Sequence, residues 1–115
     1  MTECVNLVRI QETSDGDLEF EQELIEMYIE DAREHLDALK AQIAERDVEQ
    51  VRRSAHTLKG SSSNIGATKM QDMSYQMEVL ARDAGLSGAA DHLEKMNKAL
   101  EETEAFYNKY LESAT

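Results

Sequence analysis

Apolar residues recur along most of this chain at alternating intervals of three and four, the spacing that keeps side chains on one face of an α-helix. Ile25, Ile29, Ala32, Leu36, Leu39 and Ile43 fall at intervals of 4, 3, 4, 3 and 4. They predict a long helix over about Leu18 to Glu45 with one seam turned to a core. Asp17 stands where it can cap that helix, and acids crowd its first turns, as the helix dipole prefers. Arg46-Asp47 makes a tight connection, with Asp47 as cap, into a second helix. There Val51, Ala55, Leu58, Ser62 and Ile65 fall at 4, 3, 4 and 3, until Asn64 to Gly66 end or sharply bend it. Met70, Met73, Met77, Leu80 and Ala84, spaced 3, 4, 3 and 4, predict a third helix from about Thr68 to Ala84. A methionine stripe can serve as a binding groove, but at this spacing it reads as core.

Gly85-Leu86-Ser87 reads as a C-cap glycine followed by an N-cap serine. The last helix is expected from about Gly88 to Leu111, on a seam of Ala89, Leu93, Met96, Leu100, Thr103, Tyr107 and Tyr110. Residues 1 to 13 carry Val5, Leu7, Val8 and Ile10 in a short, partly amphipathic piece, read as a brief helix or an extended arm. Ser14-Asp15-Gly16-Asp17 reads as the turn after it. Four amphipathic helices on short loops predict an all-α, antiparallel up-down-up-down four-helix bundle over residues 17–111, with the arm of residues 1–16 against it, in one domain of residues 1–115.

Composition agrees with that reading and narrows the function. The 115 residues include no proline and only five glycines, as a helical chain requires. A formal charge of −12 argues against nucleic acid and against an anionic membrane surface, both of which would repel it. One cysteine, Cys4, leaves no internal disulfide to form. No apolar run reaches the length of a membrane span, and no signal-peptide layout opens the chain, so a cytoplasmic location is expected.

One stretch breaks the local rules. Gly60-Ser61-Ser62-Ser63 is a poor helix sequence by propensity, yet the apolar seam passes straight through it. On that register His56 lies on the opposite face, with Arg52 one turn before it, Lys59 and Gly60 one turn after and Ser63 two turns after. An imidazole is thus held in water, beside a cation and next to a residue with no side chain. A lone histidine is more often an ordinary surface group, and a lone helical glycine a packing accommodation. The conjunction is what points to a site, since breaches of local preference are expected where function sits.

His56-Thr57-Leu58-Lys59-Gly60-Ser61-Ser62-Ser63-Asn64-Ile65-Gly66-Ala67 resembles the signature of the histidine-containing phosphotransfer (HPt) domains of two-component phosphorelays. That family's pattern is His-x-Leu-Lys-Gly-x-Ser followed by a Gly-Ala that opens the next helix, and this chain meets it without departure. The resemblance extends from about Asp17 to Leu111. It implies that His56 takes a phosphoryl group from a receiver aspartate and passes it to another receiver. It also implies partners: response-regulator receiver domains and a (hybrid) histidine kinase, with the receivers supplying magnesium and most catalytic groups. No cofactor of its own is expected, and a monomer is.

On this reading Lys59 offsets the charge of the moving group as a flexible point cation, and Gly60 leaves a notch for a partner's loop. The three serines keep the surrounding surface low. By the family's spacing Glu78 and Arg82 fall near His56, with Glu78 orienting the ring through the nitrogen that does not react. Arg52, Arg53, Lys69 and Arg82 are expected to help select the receiver. The chain has no Walker-type phosphate cradle, so it reads as a phosphocarrier rather than a kinase.

Three rival readings compete with this one. For a metal-binding protein, Cys4, His35, His56 and His92 are too scattered, and no Glu-x-x-His pair is present. His35 reads as structural or merely exposed, and His92 as a surface residue. A non-catalytic acidic interaction module is argued against by the intact His56, Lys59 and Gly60. The phosphorylated segment of a chemotaxis-type kinase shares the fold, but the self-contained length from Met1 favours a free-standing carrier.

Overall fold

The computed structural model describes residues 4–114. The first three residues of the expected arm and Thr115 lie outside them. Five helices follow in order: α1 (Val8–Ser14), α2 (Leu18–Ala44), α3 (Val48–Ile65), α4 (Thr68–Asp83) and α5 (Ala89–Ala114). The long four form the bundle. α2 packs on α3 and α5, and α4 packs on the same two, so the helices close a ring in chain order. Short connections leave no room for a crossover and make successive helices antiparallel. α1 lies across α2 and α3 at one end.

The caps are local and chemical. Asp17 Oδ1 accepts from the Phe20 N–H at 3.2 Å, and Asp47 Oδ1 accepts from the Gln50 N–H at the same distance, each satisfying an orphan donor of a first turn. α3 stops at Gly66, which adopts a left-handed conformation (φ 77°). The Gly66 N–H donates to the Ser63 carbonyl and the Ala67 N–H to the Ser62 carbonyl, the paired bonds of a glycine-terminated helix. A methyl group at Gly66 would run into the Asn6 backbone carbonyl. The arm sits close here because its Asn6 N–H donates to the Gly66 carbonyl at 2.7 Å.

The α3 seam is as its spacing predicts: Val51, Ala55, Leu58, Ser62 and Ile65 are all buried. The serine run stays helical because its inward member has a partner. Ser62 Oγ lies 2.6 Å from the Tyr28 hydroxyl of α2, both sealed in the core. Ser62 is therefore a core residue and not part of a low surface around His56. The Tyr107 hydroxyl of α5 donates to the Ile65 carbonyl at 2.7 Å and so satisfies an orphan acceptor at the C-terminus of α3. Both phenols are pushed up by burial, Tyr28 to about 12.

Several faces differ from the sequence reading. On α4 the fully inward residues are Met70, Ser74, Met77 and Ala81, with Met73 and Leu80 only partly covered and Ala84 exposed. Ser74 and Ala81 are small, so the helix turns them to its neighbours and lets the bulkier Met73 and Leu80 lie along the edge. Ser14, expected in a turn, is the last residue of α1; it is buried and donates to Glu21 Oε2 at 2.8 Å. Glu21 itself is sealed, and its other oxygen accepts from Tyr110 at 2.6 Å, which joins α1, α2 and α5. Tyr110 is accordingly half-buried with its hydroxyl turned to that carboxylate. α5 runs three residues past the expected Leu111, to Ala114.

Candidate functional site

The site begins from the outward face of α3. With Ala55 and Leu58 locked inward, His56 must point out, and its side chain is 62% exposed. Glu78, one turn before the end of α4, is held 12% exposed at the seam between the two helices. Its Oε2 lies 3.0 Å from His56 Nδ1 and its Oε1 lies 2.9 Å from Lys59 Nζ. One carboxylate thus bridges the two outward residues of α3. The four-residue gap to Gly60 completes the face: Gly60 is exposed, and a methyl group placed on it would meet nothing within 4 Å.

The electrostatics of the bridge are coupled. Burial pushes the Glu78 carboxyl up, but the hydrogen bonds from Lys59 and His56 outweigh it and hold the group below its ordinary value of 4.5. Glu78 is therefore an acceptor-only carboxylate at neutral pH, so Nδ1 of His56 carries the proton it donates. In the neutral ring this leaves the lone pair on Nε2. Among the described residues no group bonds Nε2. The arrangement offers solvent a nucleophilic nitrogen backed by an anion that can stabilise positive charge on the ring.

The remaining candidates sort by distance from this bridge. Arg52 is tied to Glu49 on its own helix at 2.6 Å, and it feels Glu78 only as a weaker, longer-range attraction. Arg82 pairs with its neighbour Asp83 at 3.0 Å and does not join His56. Arg53 also goes to Glu49 and Lys69 to Glu102. Ser63 is half-buried two turns along α3. His35 Nδ1 bonds the Asp31 carbonyl at 2.9 Å, a structural use. His92 is a correction: it is buried in the α4–α5 interface, where Nε2 donates to the Met73 carbonyl at 2.8 Å. Its position one residue before the seam leucine Leu93 widens the apolar stripe of α5 to Ala89, His92, Met96 and Ala99. Among the described residues, no three histidine, cysteine or carboxylate side chains converge as a metal site would need.

One neighbour escaped the sequence reading. Tyr75, one turn before Glu78 on α4, sets its ring 5.4 Å from Lys59 Nζ. Spacing of three from Glu78 places it on the same face, but nothing in the sequence pairs it with Lys59.

Residues 23–106 match the model of the Hpt domain family. The chain is similar to the phosphorelay intermediate protein rdeA of Dictyostelium discoideum, 32% identical over 89 residues, which is 77% of this chain and 35% of that protein. It is also similar in structure to histidine-containing phosphotransfer protein B of Pseudomonas aeruginosa PAO1, with a TM-score of 0.88 over 98% of both chains and 21% identity. That structural likeness concerns the fold, while the family match covers α3, α4 and the bridge between them. The chain belongs to the Hpt domain family, the phosphotransfer carriers of two-component phosphorelays.

Proposed function

We propose that His56 is the phosphorylated residue, that Nε2 is the nitrogen used, and that the chain carries a phosphoryl group between receiver aspartates. The observation that carries this reading is the 3.0 Å contact of Nδ1 with the Glu78 carboxylate, which leaves the opposite nitrogen free and facing solvent. In the forward step the Nε2 lone pair attacks phosphorus, a P–N bond forms, and the P–O bond to the receiver aspartate breaks, returning a carboxylate. The ring gains positive charge as it gives up its lone pair, and Glu78 offsets that charge through the Nδ1–H. The return step reverses this: a second aspartate attacks phosphorus and the P–N bond breaks.

Little covalent work is asked of the protein, so positioning and charge decide the rate. Lys59 is close enough to the ring's acid partner to act on both the carboxylate and an incoming phosphoryl group. Gly60 keeps the approach to Nε2 open. Magnesium belongs to the receiver partner in this scheme, a nucleotide is needed only by a separate kinase, and the carrier works as a cytoplasmic monomer.

The test is direct. Wild-type protein mixed with a labelled phospho-receiver should gain acid-labile, base-stable phosphate, and His56→Gln should gain none while keeping its helicity. Label retained by His56→Gln would sink the assignment. Phosphorus–proton correlation spectra of the loaded protein should place the phosphorus on Nε2; a signal on Nδ1 would require the Glu78 contact to break and would refute the proposed geometry.

A further inference from the structure

We infer that Tyr75 is a positioning residue for the transfer, holding the Lys59 ammonium over Glu78 so that its charge is in place before a phosphoryl group arrives. The inference rests on the carrier reading above. Lysine is a poor choice for a fixed cation, since its four-carbon stem is flexible and its freedom must be lost each time it is used. Here that freedom is restricted from two sides. Glu78 Oε1 accepts a hydrogen bond from the ammonium at 2.9 Å, and the Tyr75 ring faces the same nitrogen at 5.4 Å, within the range of a cation–π contact. The Lys59 side chain is only 28% exposed as a result, against 62% for His56 beside it.

The tyrosine is itself half in water, at 49% exposure, where an aromatic ring gains little from packing alone. Glu78 and Tyr75 are three residues apart on one face of α4, so a single rigid helix presents both faces of the lysine's cage. The ring contributes no polar atom to the reacting centre and touches none of the reacting atoms.

The experiment compares Tyr75→Leu and Tyr75→Phe in the full chain, with uptake from a phosphorylated receiver and phosphohistidine lifetime as readouts. Tyr75→Leu should slow transfer about two- to five-fold, the size of an exposed cation–π contact. Tyr75→Phe keeps the ring face and should return the rate to that of wild type. In a Lys59→Ala background, Tyr75→Leu should have no further effect. The Lys59 ε-methylene protons should carry an upfield ring-current shift in wild type and Tyr75→Phe that disappears in Tyr75→Leu. A wild-type rate for Tyr75→Leu overturns the inference, as does Phe performing as badly as Leu, or an undiminished Tyr75→Leu loss when Lys59 is already gone. A wild-type chain that takes up no phosphate overturns the carrier reading and this role with it, whereas failure of the inference alone leaves wild-type uptake intact.

Discussion

His56 Nδ1 and Glu78 Oε2 lie 3.0 Å apart across the interface of α3 and α4, although 22 residues separate them in the chain. The contact fixes the tautomer and the tilt of an otherwise solvent-exposed ring. Replacing Glu78 by Ala should free the ring and remove the anion that offsets its developing charge. A hydrogen bond to a charged group contributes about 1.5–3 kcal/mol, and half-exposure of the ring discounts this, so a loss of roughly tenfold in transfer rate is expected. Glu78→Gln keeps an acceptor for Nδ1–H without the charge and should fall between. Stopped-flow phosphotransfer measures both, and equal rates for all three proteins would refute the role of Glu78.

The same carboxylate makes stability depend on pH with a definite sign. Its folded pKa is depressed below 4.5 by Lys59 and His56 acting against burial. A depressed carboxylate contributes stability that is fully present above its unfolded pKa and is lost as pH falls through the folded value. The stability difference between wild type and Glu78→Gln should therefore hold level above pH 4.5 and shrink as the pH is lowered further. Urea melts at a series of pH values measure it. A difference that grows on acidification would show the sign to be wrong.

Gly60 separates folding from docking. It is helical and exposed, with open space where a methyl group would go. Gly60→Ala should raise stability by about 1 kcal/mol, the ordinary helix preference of alanine over glycine. Any fall in transfer rate must then come from the partner's approach. Gly60→Gln should weaken receiver binding further without unfolding the bundle. Thermal melts and a receiver titration together check the pair, and unaltered affinity in Gly60→Gln would remove the notch from the account.

The buried pair of Tyr28 and Ser62 holds the serine run in place. Tyr28→Phe or Ser62→Ala alone leaves one buried hydroxyl without its 2.6 Å partner and should cost about 1–3 kcal/mol. The double variant removes both polar groups and should cost less than the sum of the two. A double-mutant cycle in urea reads the coupling directly; strict additivity would mean that the two hydroxyls do not depend on each other.

Much of this is legible in the sequence alone. The alternation of threes and fours through Val51, Ala55, Leu58, Ser62 and Ile65 overruled the poor propensity of Gly60 to Ser63, because burying a whole face outweighs a few unfavourable residues. His56 outward with Lys59 and Gly60 beside it follows from register along one helix, and Asp17 and Asp47 as caps follow from their places at the starts of two. The misreadings have a common form. His92 read as a surface group and Ser14 as part of a turn. Both depend on what another helix places opposite, the Met73 carbonyl for His92 and the Glu21 carboxylate for Ser14.

The sequence by itself determined which sides of α2 and α3 face the core, and hence that one histidine stands in water on a four-helix scaffold beside a cation and a gap. A helical period is a property of consecutive residues, so it can be read from them. Only the tertiary structure decided that the Glu78 carboxylate spans both His56 and Lys59 and that Tyr75 closes over the lysine. Those relations are set by the rotation and height of α4 against α3, which depend on how Ser74, Met77 and Ala81 pack into a neighbour's surface. Shifts of an ångström there decide a hydrogen bond, and no interval along one chain records them.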